Sequence, residues 1–276
     1  MEKLIITAAI SGAEVTKDQN PNVPYTVLEI RDEARRACEA GASIIHLHVR
    51  EDDGTPTQRR ERFQACMEAI LDVCPDVIIQ PSTGGAVGMT TDERLQPLTL
   101  FPEMATLDCG TLNFGGDDIF VNTENMIMEF GKRMADLGIK PECEVFDKSM
   151  VDTAVRLMKK GFIREPMHFN LVMGVRGGIS GEVRDLLFMK ESLPAGSTYT
   201  VSGIGRTQLS MNTMAILMGG HVRVGFEDNI FLDRGELAGS NADFVERIAA
   251  LSRMLGREVA SPDEARVILG LRKRIQ

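Results

Sequence analysis

Eight short apolar segments alternate along the chain with segments of helical period, and this alternation is what most constrains the fold. A strand–helix–strand succession of this kind builds a parallel sheet. The predicted strands cover 4–10, 43–49, 77–80, 104–107, 142–146, 167–173, 197–202 and 221–225. The predicted helices cover 24–40, 59–73, 91–100, 122–137, 148–160, 181–192, 207–218, 242–255 and 262–271, with Thr26 as a cap and the glycine-rich segment 110–116 as a loop.

Eight such units in 276 residues fit a closed (β/α)8 TIM barrel, and an open doubly wound sheet is the alternative. No GxGxxG motif follows the first strand, and no P-loop motif occurs. No linker or low-complexity segment divides the chain. We therefore predict one α/β domain over 1–276, completed by the two C-terminal helices.

Charge and cysteine usage restrict the class of partner and the compartment. A net charge of −9 argues against nucleic acid and anionic membranes as partners. No apolar run reaches the length of a membrane helix, and the N-terminal apolar stretch is interrupted too soon for a signal peptide. The five cysteines are scattered and form no CxxC pair, which predicts reduced thiols in a cytoplasmic protein.

Two histidines lie two residues apart in the second predicted strand, at His46 and His48. Residues i and i+2 of a strand share one face, so both imidazoles could bind one metal ion. The alternative is a pair of hydrogen-bonded, inert polar residues. Glu227 is the candidate third ligand, because the eighth barrel strand lies beside the first and the first beside the second. Its alternative is a solvated loop carboxylate, and the ligand types do not choose among Zn, Fe(II), Mn and Co.

The other polar candidates also follow strand ends, where barrel enzymes place their active sites. They are Glu14, Ser82, Thr83, Gly84, Gly85, Thr106, Asp108, Glu144, Gly203, Gly205, Arg206, Arg223 and Asp228. Asp228, kept ionised by a bound cation, could remove a proton α to a carbonyl. Arg223 could hold Asp228, bind a substrate carboxylate or form a rim salt bridge.

Glycine-rich turns suggest two further binding elements. Ser82, Thr83 and the Gly84–Gly85 amides resemble a carboxylate or oxyanion cradle, and the alternative is a simple turn. The segment 203–206 lies where barrels often bind phosphate, and it too could be only a tight turn. His168 and His221 lie at or near strand starts, at the far end of the barrel, and are predicted to be structural.

Seven motifs in order resemble the β-keto acid cleavage enzymes over nearly the whole chain. They are ITAAISGAE, IHLHVREDDG, QPSTGGAVG, MATLDCGTLNFG, PECEVFD, GIGR and GGHVRVGFEDN. The resemblance implies a zinc-dependent (β/α)8 barrel, mostly tetrameric, that condenses a β-keto acid with acetyl-CoA to give acetoacetate and a new acyl-CoA. It points to 3-keto-5-aminohexanoate as the keto acid and 3-aminobutyryl-CoA as the other product, in lysine fermentation.

The matching motifs also assign roles to the candidate residues. They imply one zinc ion per chain on His46, His48 and Glu227, with Asp228 as base and Arg223 as its support. Glu144 matches a further active-site carboxylate, and substrate contacts fall on the strand-end residues Glu14, Ser82, Thr83, Gly85 and Thr106. Gly205 and Arg206 are the expected acetyl-CoA contacts, and Glu14 is the expected partner of a substrate amino group. Another β-keto acid, a CoA-independent metal-dependent aldolase or hydrolase, and a non-catalytic ligand-binding barrel are the competing hypotheses.

Overall fold

A computed structural model of the chain describes residues 2–271 and contains all eight predicted strands in one parallel sheet. Met1 and residues 272–276 of the predicted domain lie outside the described residues. The strands are β1 (Ile6–Ala9), β2 (Ile44–Leu47), β3 (Ile78–Pro81), β4 (Met104–Asp108), β5 (Lys140–Val145), β6 (His168–Met173), β7 (Thr198–Gly203) and β8 (His221–Val224).

The order of the strands is that of a barrel. Neighbours run β3–β2–β1–β8–β7–β6–β5–β4, so β1 pairs with β2 on one side and with β8 on the other. Just beyond β3, Thr83 donates its hydroxyl to the Thr106 carbonyl of β4 at 2.7 Å. This contact brings the two outer strands together in a nearly closed (β/α)8 barrel, and the doubly wound alternative is wrong.

Helices between the strands cover the outside of the barrel. They are α1 (Val27–Ala40), α2 (Arg60–Val73), α3 (Thr91–Leu95), α4 (Glu124–Leu137), α5 (Lys148–Lys159), α6 (Val183–Glu191), α7 (Gln208–Leu217), α8 (Asn241–Met254) and α9 (Pro262–Leu269). The helix predicted over 91–100 is α-helical only to Leu95 and continues as a 3-10 helix over Gln96–Leu100. Pro97 has no N–H for the α-helical ladder, which explains the change. Among residues 2–271, none of the helices has the length and apolar character that spanning a membrane requires.

The start of α1 shows how local sequence fixes a helix boundary. Thr26 caps the helix as predicted, and the Glu29 side chain accepts the Thr26 N–H in return, at 2.9 Å. Lys17 adds an ion pair to Glu29. Partial burial opposes ionisation of Glu29, but Lys17 and the backbone N–H groups of Thr26 and Tyr25 outweigh it and lower the pKa of Glu29 to about 2.

Part of the predicted loop 110–116 is instead a β-hairpin, of strands Leu112–Phe114 and Asp118–Phe120. Gly115 and Gly116 form its turn with φ angles of +66° and +107°, a geometry that favours glycine. Two more short hairpins follow β2 and β8. All three therefore lie at the carboxyl end of the barrel, around its mouth.

The inside of the barrel is polar along strands β5 to β8. Side-chain contacts link the members of a lower layer, Glu142, His168, Thr200 and His221, and the members of an upper layer two residues further along each strand, Glu144, Asn170, Ser202 and Arg223. His168 and Glu142 are fully buried partners at 2.9 Å, and the His221 Nδ1 atom accepts the Ile5 N–H at 3.1 Å. Both histidines lie at strand starts, away from the mouth, as predicted.

Candidate active site

His46, His48 and Glu227 meet at the mouth of the barrel. The Nε2 atom of His46 lies 3.4 Å from Glu227 Oε2, and the Nε2 atom of His48 lies 3.7 Å from Glu227 Oε1. One potential ligand atom from each residue falls within 4.8 Å of the other two. The pairing of β1 with both β2 and β8 produces this contact, as the barrel prediction required.

These three side chains fit a zinc ion. Gln80 Oε1 lies 2.9 Å from His46 Nδ1, so the proton belongs on Nδ1 and the Nε2 lone pair is available to a metal. His46 Nε2 and Glu227 Oε2 are buried and have no hydrogen-bond partner among residues 2–271. Two imidazoles and one carboxylate are a usual donor set for catalytic zinc and leave a position for substrate.

The two histidines have different pKa values because their neighbours differ. Burial lowers the pKa of His48 to about 4, against the opposing charge of Glu227. Burial acts in the same direction on His46, but the Glu227 carboxylate outweighs it and raises the pKa of His46. The neutral imidazole is the metal-binding form, so a metal ion would compete with a proton for His46.

Arg223 is the centre of a buried charge cluster beside these donors. Its guanidinium donates to both oxygens of Asp228, at 2.9 and 2.7 Å, to Glu144 at 2.9 Å and to Glu227 at 2.5 Å. Burial raises the pKa of Asp228 and Arg223 opposes that rise, whereas the expectation of a low value assumed a bound cation. Burial also raises the pKa of Glu144 to about 8, against the pull of Arg223.

The loop after β3 forms a shaped turn at the same mouth. Ser82 Oγ accepts the Gly84 N–H at 3.1 Å. A side chain at Gly85, whose φ is +66°, would place its Cβ 2.7 Å from the Met89 sulfur, so the turn requires glycine. Ser82 and Gly85 face the central cavity and leave polar groups there that a substrate carboxylate could contact.

The cavity at the mouth has a volume of about 270 Å³. Its ionisable lining residues are Glu14, His48, Asp108, Glu144, Arg223, Glu227 and Asp228. Its apolar lining residues, the apolar wall, are Phe114, Phe120, Phe146, Val172, Val175 and Ile204. A small polar molecule could therefore be held by the ionisable groups while the apolar wall excludes water.

Comparison with known proteins decides the family. Residues 3–271 match the family described as beta-keto acid cleavage enzyme. The chain belongs to this family. A 3-keto-5-aminohexanoate cleavage enzyme of Fusobacterium nucleatum is 67% identical over 99% of this chain and 100% of its own length. A 3-oxoadipate:acetyl-CoA acetyltransferase of Cupriavidus necator is 40% identical over 97% of this chain and 94% of its own. The apo structure of ObcA is 21% identical, has a TM-score of 0.79 and covers 91% of this chain and 66% of the ObcA chain, which supports the fold.

Four of the predicted substrate and acetyl-CoA contacts of this β-keto acid cleavage enzyme do not line the cavity. Thr83 and Thr106 are fully buried behind the turn, where the Thr83 N–H also bonds to Thr106 Oγ1 at 3.1 Å. Gly205 donates its N–H to the Asp228 carbonyl at 2.7 Å. Arg206 is exposed just beyond Ile204 of the cavity wall. Thr83 and Thr106 therefore contact each other behind the turn and Gly205 contacts the backbone of Asp228, and their roles in binding substrate or acetyl-CoA stay predictions.

The sequence patterns did not reveal Arg94 or the aromatic residues of the 112–120 hairpin as parts of the site. The Arg94 side chain is buried and donates to the Thr83 carbonyl at 2.7 Å, to Asn122 Oδ1 at 2.6 Å and to Asp108 at 3.3 Å. It thus ties together the turn after β3, the end of β4 and the end of the hairpin. The Gly115–Gly116 pair was a usable hairpin signal, but no local pattern distinguishes Arg94 from any helical arginine.

Proposed function

We propose that this chain is a zinc-dependent 3-keto-5-aminohexanoate cleavage enzyme that uses acetyl-CoA as co-substrate. The observation that carries the proposal is the meeting of a two-histidine, one-carboxylate donor set and a buried Arg223–Asp228 pair at one end of the barrel, beside the cavity. The identity of 67% to an enzyme of that name supports the substrate. A relative named for acetyl-CoA supports the co-substrate. The products are then acetoacetate and 3-aminobutyryl-CoA.

A zinc ion on His46, His48 and Glu227 would supply Lewis-acid polarisation of the keto group, which favours loss of the neighbouring proton. Asp228 takes that proton from C2 of the keto acid onto its carboxylate. Arg223 holds Asp228 in place with two hydrogen bonds. The resulting carbanion attacks the acetyl thioester carbonyl. CoA leaves that carbon and adds to the keto carbonyl of the keto acid. Retro-Claisen cleavage then gives the new acyl-CoA and the carbanion of acetoacetate. The acid formed at Asp228 returns its proton to the carbanion that this cleavage leaves.

Different polar groups of the cavity wall are proposed to hold the two ends of the substrate. Glu14 is an exposed carboxylate that lines the cavity and is our proposed partner of the substrate ammonium group. The hydroxyl of Ser82 and the amide of Gly85 are the proposed partners of the substrate carboxylate, with Thr83 and Thr106 fixing that turn from behind. Glu144 shares Arg223 with Asp228 and is proposed to keep the guanidinium oriented.

Acetyl-CoA is proposed to enter over the apolar wall, where Gly205 and Arg206 follow Ile204. The exposed Arg206 offers a guanidinium to the phosphates of CoA. We further propose one zinc ion per chain, a homotetramer and a cytoplasmic location. The family resemblance supports the zinc ion and the homotetramer. The five free cysteines support the cytoplasmic location.

Mass spectrometry of a reaction mixture tests the function. Zinc-loaded protein is incubated with 3-keto-5-aminohexanoate and acetyl-CoA, and acetoacetate with 3-aminobutyryl-CoA is the expected pair of products. Turnover without acetyl-CoA would favour a CoA-independent aldolase or hydrolase. No product from zinc-loaded protein would exclude this keto acid and direct the search to a panel of other β-keto acids.

A further inference from the structure

We infer that Asn241 is a positioning residue that sets the Glu227 carboxylate against His46, an inference that rests on the proposed zinc site. Asn241 is the first residue of α8, is completely buried and does not line the cavity. It therefore acts on the site only through the backbone that it holds.

The Asn241 side chain bridges the ends of two neighbouring strands. Its Oδ1 atom accepts the N–H of Phe226, just after β8, at 2.8 Å. Its Nδ2 group donates to the carbonyl of Ile10, just after β1, at 3.1 Å, and to Glu33 of α1 at 2.7 Å. Both strand ends are thus fixed by one amide group.

Each of these backbone groups is connected to a proposed zinc ligand, either by a peptide bond or by a hydrogen bond. Phe226 precedes Glu227, whose own N–H donates to the Ala9 carbonyl at 3.2 Å. The N–H of Ile10 donates to the carbonyl of His46 at 3.4 Å. Asn241 consequently determines the spacing between the backbone of Glu227 and the backbone of His46.

The surrounding packing leaves little room for the loop to adjust. At Gly225, whose φ is +138°, an added Cβ would lie 2.3 Å from the Ala9 carbonyl oxygen and 2.9 Å from Asn241 Oδ1. At Gly12 an added Cβ would lie 2.9 Å from the Glu227 Cγ atom. The Asn241 Oδ1 atom is itself part of this packing, so removing the side chain opens space beside Gly225 and leaves the Phe226 N–H without its acceptor, which lets the Glu227 carboxylate move.

A neighbouring residue offers a matched control. Glu33 is buried and accepts the Asn241 N–H at 2.8 Å and the Ser240 hydroxyl at 3.2 Å. Ser240 caps α8. Ser240→Ala therefore removes a helix cap and a bond to Glu33, while the Asn241 bonds to Phe226 and Ile10 remain. Ser240→Ala should therefore lower the stability of the protein without directly changing the Glu227 loop.

The test is the zinc dissociation constant of Asn241→Ala, measured by competition with a chromogenic chelator and compared with wild type and Ser240→Ala. We expect Asn241→Ala to bind zinc about 10- to 100-fold more weakly, and Ser240→Ala to bind zinc as wild type does while unfolding at a lower temperature. If Asn241→Ala does not fold, Asn241→Ser keeps a small polar side chain at this buried helix start but is too short to hold both the Phe226 N–H and the Ile10 carbonyl, and we expect it also to bind zinc more weakly.

The outcomes separate this inference from the proposed function. Wild-type zinc affinity in a folded Asn241 variant would overturn the positioning role and leave the zinc site intact. Equal weakening of zinc binding in the Asn241 and Ser240 variants would show that the effect comes from a general loss of stability, and would also overturn the positioning role. A wild-type protein that binds no zinc would overturn the zinc site, and the inference with it.

Discussion

Asp228→Asn should separate proton removal from every other property of the site. Asparagine preserves the shape of the side chain and one acceptor for Arg223, but it cannot take a proton from a carbon acid. Arg223 keeps its contacts with Glu144 and Glu227, so the guanidinium stays paired. We therefore expect a folded variant that retains its zinc.

The expected magnitudes differ widely for stability and for chemistry. Weakening the two hydrogen bonds between Arg223 and Asp228, at 2.9 and 2.7 Å, should cost about 1–3 kcal/mol of unfolding free energy. Loss of a general base should lower the rate of proton removal about 10²- to 10⁴-fold, which is about 3–5 kcal/mol of activation free energy. The activation free energy of proton removal should thus rise by more than the unfolding free energy falls.

The assay is NMR detection of hydrogen–deuterium exchange at C2 of the keto acid in D2O, without acetyl-CoA. Under these conditions only proton removal is observed, and the spontaneous exchange rate is subtracted. Asp136→Asn, on the exposed face of α4, is the matched control and should exchange as wild type does. An unchanged exchange rate in zinc-loaded Asp228→Asn would show that another group is the base.

Three further outcomes are expected. His46→Ala should lose both zinc, measured by elemental mass spectrometry, and turnover, and a variant that keeps its zinc would show that the ligand assignment is wrong. Glu14→Gln should raise KM for the amino-substituted keto acid about 3- to 10-fold and leave KM for an uncharged β-keto acid unchanged, and equal effects on both would remove Glu14 as the ammonium partner. Glu29 has a folded-state pKa of about 2, below its usual 4.5, so its ionised form stabilises the fold above pH 4.5 and loses that effect as the pH falls towards 2. Glu29→Gln should therefore destabilise the protein more at pH 6 than at pH 2.5 in urea unfolding, and a constant difference would contradict a stabilising role for the ionised Glu29 carboxylate.

The position of Glu227 could be predicted from the sequence because a barrel has a fixed neighbour order. Histidines two residues apart on a strand share a face, and closure places the last strand beside the first. The distances of 3.4 and 3.7 Å from Glu227 to His46 and His48 confirm that these side chains meet. Their roles as zinc ligands stay a prediction.

Residues that act through long-range side-chain contacts could not be predicted in this way. Arg94 joins three segments of the mouth, and Asn241 joins two strand ends, yet both occupy ordinary helical positions. Thr106 was expected to contact substrate because its motif resembles that of the family. The structure shows its hydroxyl and carbonyl engaged by Thr83, which only the tertiary arrangement reveals.

The separation of the donor residues along the chain has a consequence for biosynthesis. His46 and His48 precede Glu227 by about 180 residues, and the contact between them requires β8 to insert beside β1. At about 5–20 residues per second, the ribosome delivers Glu227 roughly 10–40 s after the histidines. Throughout that interval the nascent chain carries only an incomplete donor set. Maturation of the site is thus postponed until translation of the barrel is almost finished.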